Sequence, residues 1–213
     1  MDRDEKMKTA EVQPAFSLDL TKASRVPAPI VWITGLAGVG KTTLALAVHK
    51  KLLDEDVHAL LIDGDLVRHA LDASADLARH DVGMRLHRAW RIAELARIAA
   101  LQGVPAIVAT IGLFHAVQTW NRAGSVPYAE VLMTADIEEL KRRKPAVYAP
   151  VRDDAGPVVG VDIAPEFPLS PELVLVQRFV ESDLPIHAAK VVATWQRMRA
   201  HVTPLRPAAT SAP

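Results

Sequence analysis

The stretch PIVWITGLAGVGKTT, residues 29–43, decides how this chain is read. An apolar segment runs into a glycine-rich turn, and the turn opens into an amphipathic segment. Gly35, Leu36, Ala37, Gly38, Val39, Gly40, Lys41 and Thr42 follow the pattern G-x-x-x-x-G-K-[ST]. Glycine at 35, 38 and 40 admits backbone angles closed to residues that carry a Cβ. The turn can then curl with its N–H groups pointing inward, and the positive end of the following helix faces the same spot. Together these make a cradle for a polyphosphate. Lys41 offers a point charge to the outer phosphates, and the Thr42 hydroxyl offers a ligand for Mg²⁺. A chance glycine-rich turn has no reason to bring the apolar strand and the Lys-Thr pair with it.

Outward from the cradle, apolar residues at helical spacing (Leu44, Leu46, Ala47, Val48, Leu52) predict a helix over 42–53. Residues 58–62 read as a short buried strand ended by Asp63-Gly64-Asp65, and 66–71 as a short helix. Residues 73–81 are polar and loop-like. The longest helix is predicted over 82–101, with Leu86, Trp90, Ala93, Leu95 and Ile98 near one stripe. Strands follow at 105–110, 130–134 and 172–176, and helices at 115–122, 136–143 and 184–201. Residues 144–171, proline-rich and dotted with glycine, read as a lid or binding loop.

Strands alternating with helices imply a parallel sheet covered on both faces. The expected fold is α/β of the P-loop NTPase type: a five-stranded parallel sheet, helices on both faces and a C-terminal lid loop. Ligands of such sheets bind beyond the carboxyl ends of the strands. Asp63, Thr110 and the cradle all fall there. Residues 1–28 are expected to form an N-terminal arm, 29–202 the catalytic domain and 203–213 a disordered tail.

Composition narrows the class. Half the residues are hydrophobic, enough for a layered core. Lys+Arg and Asp+Glu balance at 25 each, which argues against a nucleic-acid binder. With no cysteine, disulfides, thiolate metal sites and cysteine nucleophiles are excluded. The charged start MDRDEKMKTAEVQ has no apolar signal core, and no stretch reads as a membrane span. A soluble, cytoplasmic protein is expected.

Asp63 ends the strand after the cradle, where a carboxylate can hold Mg²⁺ or orient an attacking hydroxyl. Asp-Gly is also a common turn pair, and the preceding phosphate loop tips the reading toward chemistry. Arg68 lies on the first turn of the short helix. Arg85, Arg88 and Arg91 recur every third residue on the long helix, with Arg79 just before it. That spacing places guanidinium groups on one side, a match for phosphate or sulfate oxygens. His80, His87 and His115 make no metal constellation, and Trp90 and Trp120 read as core.

VWITGLAGVGKTT, LIDGDLVRHAL, the RIAELA run and GVDIAPEFPLSPELVLV resemble the adenylylsulfate (APS) kinase family. The resemblance implies transfer of the ATP γ-phosphate to the 3′-hydroxyl of adenylylsulfate with Mg²⁺, in a homodimer. It implies that residues from Gly35 to Thr43 hold ATP and that Arg143 lies on the adenine, with Arg142 one position away. Asp63 would face the metal and the acceptor hydroxyl, beside Thr42. Asp65, Arg68 and Arg85 would hold the acceptor, and Asp162 would sit beside it in the lid.

The departures from the family pattern fall on the acceptor side. Arg88 replaces an Asn. Thr110 stands where the family has a Phe that stacks on the acceptor, and Gly112 where it has a Ser. Val158-Val159-Gly160 replaces Phe-Thr-Gly. Each lost aromatic face is worth about 1–3 kcal/mol of base stacking. A different anionic or nucleotide-activated acceptor is therefore the second reading, and a non-catalytic ATP-binding protein the third. A guanine-reading switch is excluded, because Asn121 is the sole Asn and is followed by Arg122-Ala123-Gly124.

Overall fold

The structure is a computed structural model that describes residues 26–71, 82–149 and 158–200. Its centre is β1 (Ile30–Thr34), with all five residues buried. Such a run is apolar on both faces because both faces are covered. Val31 and Ile33 point into one core, while Ile30 and Trp32 point into the other.

The chain then runs through α1 (Lys41–Asp54), β2 (Leu60–Asp63), α2 (Gly64–Leu71), α3 (Val82–Leu101), β3 (Ala106–Ala109) and α4 (His115–Ala123). It continues through β4 (Tyr128–Thr134), α5 (Ile137–Arg143), α6 (Pro145–Tyr148), β5 (Leu173–Val176) and α7 (Asp183–Ala200). The strands form one five-stranded sheet in the order β2-β3-β1-β4-β5, all parallel. Strand order reverses at β1. The chain first fills the β2–β3 side, then crosses to β4 and β5, which opens the crevice at the carboxyl end of β1. The α/β fold expected from the sequence is the fold observed.

One core lies between the sheet and the α1–α7 pair, where Leu44, Val48 and Leu52 meet Val191 and Trp195. The second lies under α3 and α4, around Trp32, Ile92, Val108 and Val117. Trp90 and Trp120 pack edge to face against it, 5.4 Å apart, as core residues should.

Two predicted stripes need correction. On α3 the buried face is Ala89, Ile92, Ala93, Ala96, Ala99 and Ala100, while Leu95 and Ile98 are exposed. Two residues on from Ala93 is a turn of about 200°, which carries Leu95 away from the sheet. Leu46 on α1 is exposed for the same reason, and Ala45 takes the buried place.

The predicted loop 144–171 contains the short helix α6 and a tight turn at 158–163, closed by a bridge between Val159 and Ile163. Its C-terminal part is tied down by Arg122. This guanidinium donates to Glu130 Oε2 at 2.7 Å, to Glu172 Oε1 at 2.6 Å and to the Ser170 carbonyl at 2.7 Å. Among the described residues no helix is long and apolar enough to cross a membrane. The expected arm and tail, Arg79 and His80 lie mostly or wholly outside the described residues.

Candidate active site

The phosphate loop leaves β1 at Gly35, whose φ of +145° no other residue adopts easily. A Cβ there would stand 2.3 Å from the Met133 carbonyl oxygen on β4, so the loop can only lie this close as glycine. Gly38 (φ +79°) and Gly40 (φ +98°) complete the curl. Gly40 is also the left-handed residue at which α1 starts.

Lys41, half-buried at the base of the loop, donates from Nζ to the Leu36 carbonyl at 2.9 Å. Burial pulls its pKa down from 10.5 to about 8, against the opposing pull of Asp65 and Asp63. Thr42 Oγ1 donates to Asp63 Oδ2 at 2.7 Å, joining the first turn of α1 to the end of β2. The other carboxylate oxygen accepts from the Asp65 amide at 2.9 Å and the Leu66 amide at 3.4 Å, at the start of α2. Asp63 is buried and thus held in one orientation.

A hydroxyl and a carboxylate oxygen 2.7 Å apart are hard donors suited to Mg²⁺. Among the described residues no group of three or more His, Asp and Glu forms a dedicated cage. This also fits Mg²⁺, which is commonly held by one or two protein oxygens together with substrate phosphates.

These groups open on a cleft of about 1100 Å³, walled by the phosphate loop, the ends of β2 and β3, α3 and the lid. Ala37, Gly38, Gly40, Lys41, Thr42, Thr43, Asp63 and Asp65 line it. Arg68 of α2 and Arg85 and Arg88 of α3 line it too. Arg68 Nη2 is 3.4 Å from Asp65 Oδ1. Arg85 titrates below its ordinary value through burial first, then through the charges of Arg88 and Arg68. Three guanidiniums close enough to perturb one another make a strongly electropositive wall, which favours an anion in the cleft.

Thr110 lies at the floor, nearly buried, where a Phe of the family pattern would stack. Its hydroxyl would be 2.9 Å from a Cβ at Gly64 and its methyl 2.8 Å from one at Gly112. The Thr34 hydroxyl donates to the Ile111 carbonyl and pins the same loop from below.

Of the expected residues, Gly35, Leu36 and Val39 of the loop stay out of the cleft lining, Val39 being buried in the core, and Asp162 and Arg143 are placed elsewhere. Asp162 does not line the cleft; its carboxylate accepts from the Val158 amide at 2.8 Å and closes the lid turn. Val158 and Val159, carried by that turn, are what face the cleft. Arg143 also lies outside the cleft lining. It stacks on Phe179 with Cζ 3.9 Å from the ring centroid and donates to Glu139 at 2.6 Å. Arg142 pairs with the same glutamate at 2.7 Å.

The sequence reading missed Phe114, Ile92 and Lys144, all of which line the cleft. Phe114 precedes α4 and was hidden within an apolar run. Lys144 sits between α5 and α6 in what reads as a plain basic run.

The comparisons with known proteins agree with this geometry. The family model of adenylylsulphate kinase matches residues 28–176. A probable adenylyl-sulfate kinase of Halalkalibacterium halodurans is 33% identical over 159 residues, spanning 72% of this chain and 77% of that one. The cytidine diphosphoramidate kinase of Campylobacter jejuni is 35% identical over 136 residues, 63% of this chain and 78% of that one. Among solved structures, the Mycobacterium tuberculosis APS kinase CysC in complex with AMPPNP and APS superposes with a TM-score of 0.70 at 26% identity. It covers 81% of this chain and 99% of that one. The chain belongs to the adenylylsulphate kinase family and is a phosphotransferase that acts on a hydroxyl group.

Proposed function

We propose that the chain transfers the γ-phosphate of ATP, in the presence of Mg²⁺, to a hydroxyl of an anionic acceptor, with adenylylsulfate as the first candidate. The observation that carries this reading is the 2.7 Å contact of Thr42 with Asp63 at the base of a phosphate loop, in a cleft that three arginines also line. The relatives named adenylyl-sulfate kinase support the choice of acceptor.

Phosphoryl transfer asks the protein mainly for positioning and charge. The amides of the cradle and the N-terminus of α1 hold the polyphosphate of ATP. Lys41, already hydrogen-bonded inside the loop, sets its charge against the transferring group. Mg²⁺, held by Thr42 and Asp63, would neutralise charge on the phosphates. Asp63 cannot swing freely, because two amides fix one of its oxygens. It therefore orients the acceptor hydroxyl in line with the phosphate and takes up its proton late, as a loose transition state allows. Arg68, Arg85 and Arg88 hold the acceptor's anionic groups, with Asp65 beside them. Thr110 bounds the space for its base. Arg143 would leave its stack on Phe179 partly open to the ATP adenine. A homodimer in the cytoplasm, serving sulfate assimilation, completes the proposal.

A second reading is favoured by one specific feature. Thr110 and Val158 present no aromatic face to an acceptor base, yet the arginine wall is retained. A differently activated nucleotide or another anionic alcohol would suit that wall, and the similarity to the cytidine diphosphoramidate kinase is consistent with such a change. An assay of ADP release and product formation over adenylylsulfate, other nucleotide-activated alcohols and simple anionic alcohols separates the readings. Turnover of another acceptor with none of adenylylsulfate selects the second. ATP binding without transfer to any acceptor leaves a non-catalytic ATP-binding protein.

A further inference from the structure

The α5–α6 junction carries four consecutive cations, and three of them are engaged. Lys141 pairs with Glu138 at 2.8 Å, and Arg142 and Arg143 pair with Glu139 at 2.7 and 2.6 Å. Lys144 is the exception: among the described residues its ammonium group has no carboxylate or hydrogen-bond partner. It is also the member of the run that lines the cleft.

Its backbone is fixed from both sides. The Lys144 amide donates to Leu140 at the end of α5, and its carbonyl accepts from Val147 and Tyr148 of α6. Tyr148, itself buried, donates from its hydroxyl to the Ala37 carbonyl of the phosphate loop at 2.8 Å. The stem of Lys144 lies over Gly38, with Cγ 2.9 Å from where a Cβ on that glycine would be. Gly38 must be glycine partly because this stem covers it. A cation whose stem packs on the middle of a phosphate loop and which lines the same cleft is placed to meet a polyphosphate.

On the kinase reading above, we propose that Lys144 is a second cation of the phosphate site, gripping the ATP polyphosphate from the α5–α6 junction in addition to Lys41. It serves ATP affinity and the alignment of the transferred group, while Lys41 holds the charge inside the loop.

Titration calorimetry of Mg-ATP against wild type, Lys144→Met and Lys144→Arg tests this, alongside thermal unfolding of each protein without nucleotide. Lys144→Met keeps an unbranched stem over Gly38 and removes the charge. Its ATP dissociation constant is expected to rise about tenfold or more, the scale of one charge-assisted hydrogen bond. Its unfolding midpoint should stay within a degree or two of wild type, and Lys144→Arg should restore most of the affinity. Equal ATP affinity in Lys144→Met and wild type overturns the proposal. So does an affinity loss that comes with a fall in unfolding midpoint and is not restored by Lys144→Arg, since that marks a purely structural role. Wild type that takes up no Mg-ATP overturns the kinase reading itself, before any variant is compared.

Discussion

The indole of Trp32 occupies the space in which a side chain at Gly112 would begin. A Cβ built on Gly112 would stand 2.9 Å from Trp32 Cζ2 and 2.8 Å from the Thr110 methyl, and its φ is +39°. The central strand, the end of β3 and the acceptor side of the cleft are therefore packed as one unit. Restoring the family's serine at this one position is expected to harm the fold. Gly112→Ser should cost roughly 1–3 kcal/mol, from the positive φ and the crowding together. Urea denaturation should show a lower midpoint with an unchanged slope. A midpoint equal to wild type would mean that the loop relaxes without strain.

Lys41 gives the site a pH signature. Its pKa of about 8 in the ligand-free protein, set chiefly by burial, will rise when phosphate charge arrives. At pH 8 ATP binding should then take up about half a proton, and at pH 6.5 almost none. Calorimetry in buffers of different ionisation enthalpy reads this directly. Lys41→Met should abolish the uptake and lower turnover by about 10³-fold or more. Folding is linked in the opposite sense, because it releases the proton that ATP binding takes up. The depressed pKa makes the protonated form costly, so this stability contribution is complete above pH 10.5 and is lost as pH falls toward 8.

The arginine wall and the phosphate loop should separate kinetically. Arg85→Ala is expected to raise the acceptor KM about 10- to 100-fold while changing the ATP KM little, since Arg85 stands on α3 and not on the phosphate loop. An unchanged acceptor KM would remove Arg85 from the site.

Arg142 and Arg143 share Glu139, but among the described residues only Arg143 of the two has an aromatic partner, Phe179. If the adenine lies on Arg143, Arg143→Ala should raise the ATP KM several-fold, the scale of a stacked guanidinium worth about 1 kcal/mol. Arg142→Ala should leave it unchanged. The opposite pattern would move the base to Arg142.

The phosphate loop was legible because a buried strand, three glycines and a Lys-Thr pair allow a single arrangement. Asp63 was legible because it ends a strand of the same parallel sheet, at the carboxyl edge where ligands of such sheets bind. The face of α3 was not, since alanines carry little hydrophobic weight in a pattern and the larger Leu95 and Ile98 drew the stripe away from the true contact. The role of Asp162 as a turn brace was hidden too. A carboxylate in a glycine-rich loop looks the same in sequence whether it meets a ligand or the amide of Val158 four residues back. Lys144 could not be told from its three basic neighbours until their glutamate partners were seen.

Stability offers a test of the strut beneath the lid. Glu130 is buried, and its Oε2 takes the Arg122 guanidinium. Arg122 is itself part exposed, so solvent screens the pair and the lower end of the range for broken buried pairs applies. Arg122→Met should cost roughly 2–4 kcal/mol, and Arg122→Met with Glu130→Gln should recover part of that loss. Denaturant unfolding of the two variants measures it.

The most direct test of the central claim is phosphorus NMR of wild type with Mg-ATP and adenylylsulfate. ADP and a new phosphomonoester signal on the acceptor are expected in equal amounts, both lost in Asp63→Asn. ATP that binds yet yields neither ADP nor a phosphorylated product, with adenylylsulfate and with every anionic alcohol offered in its place, would contradict it.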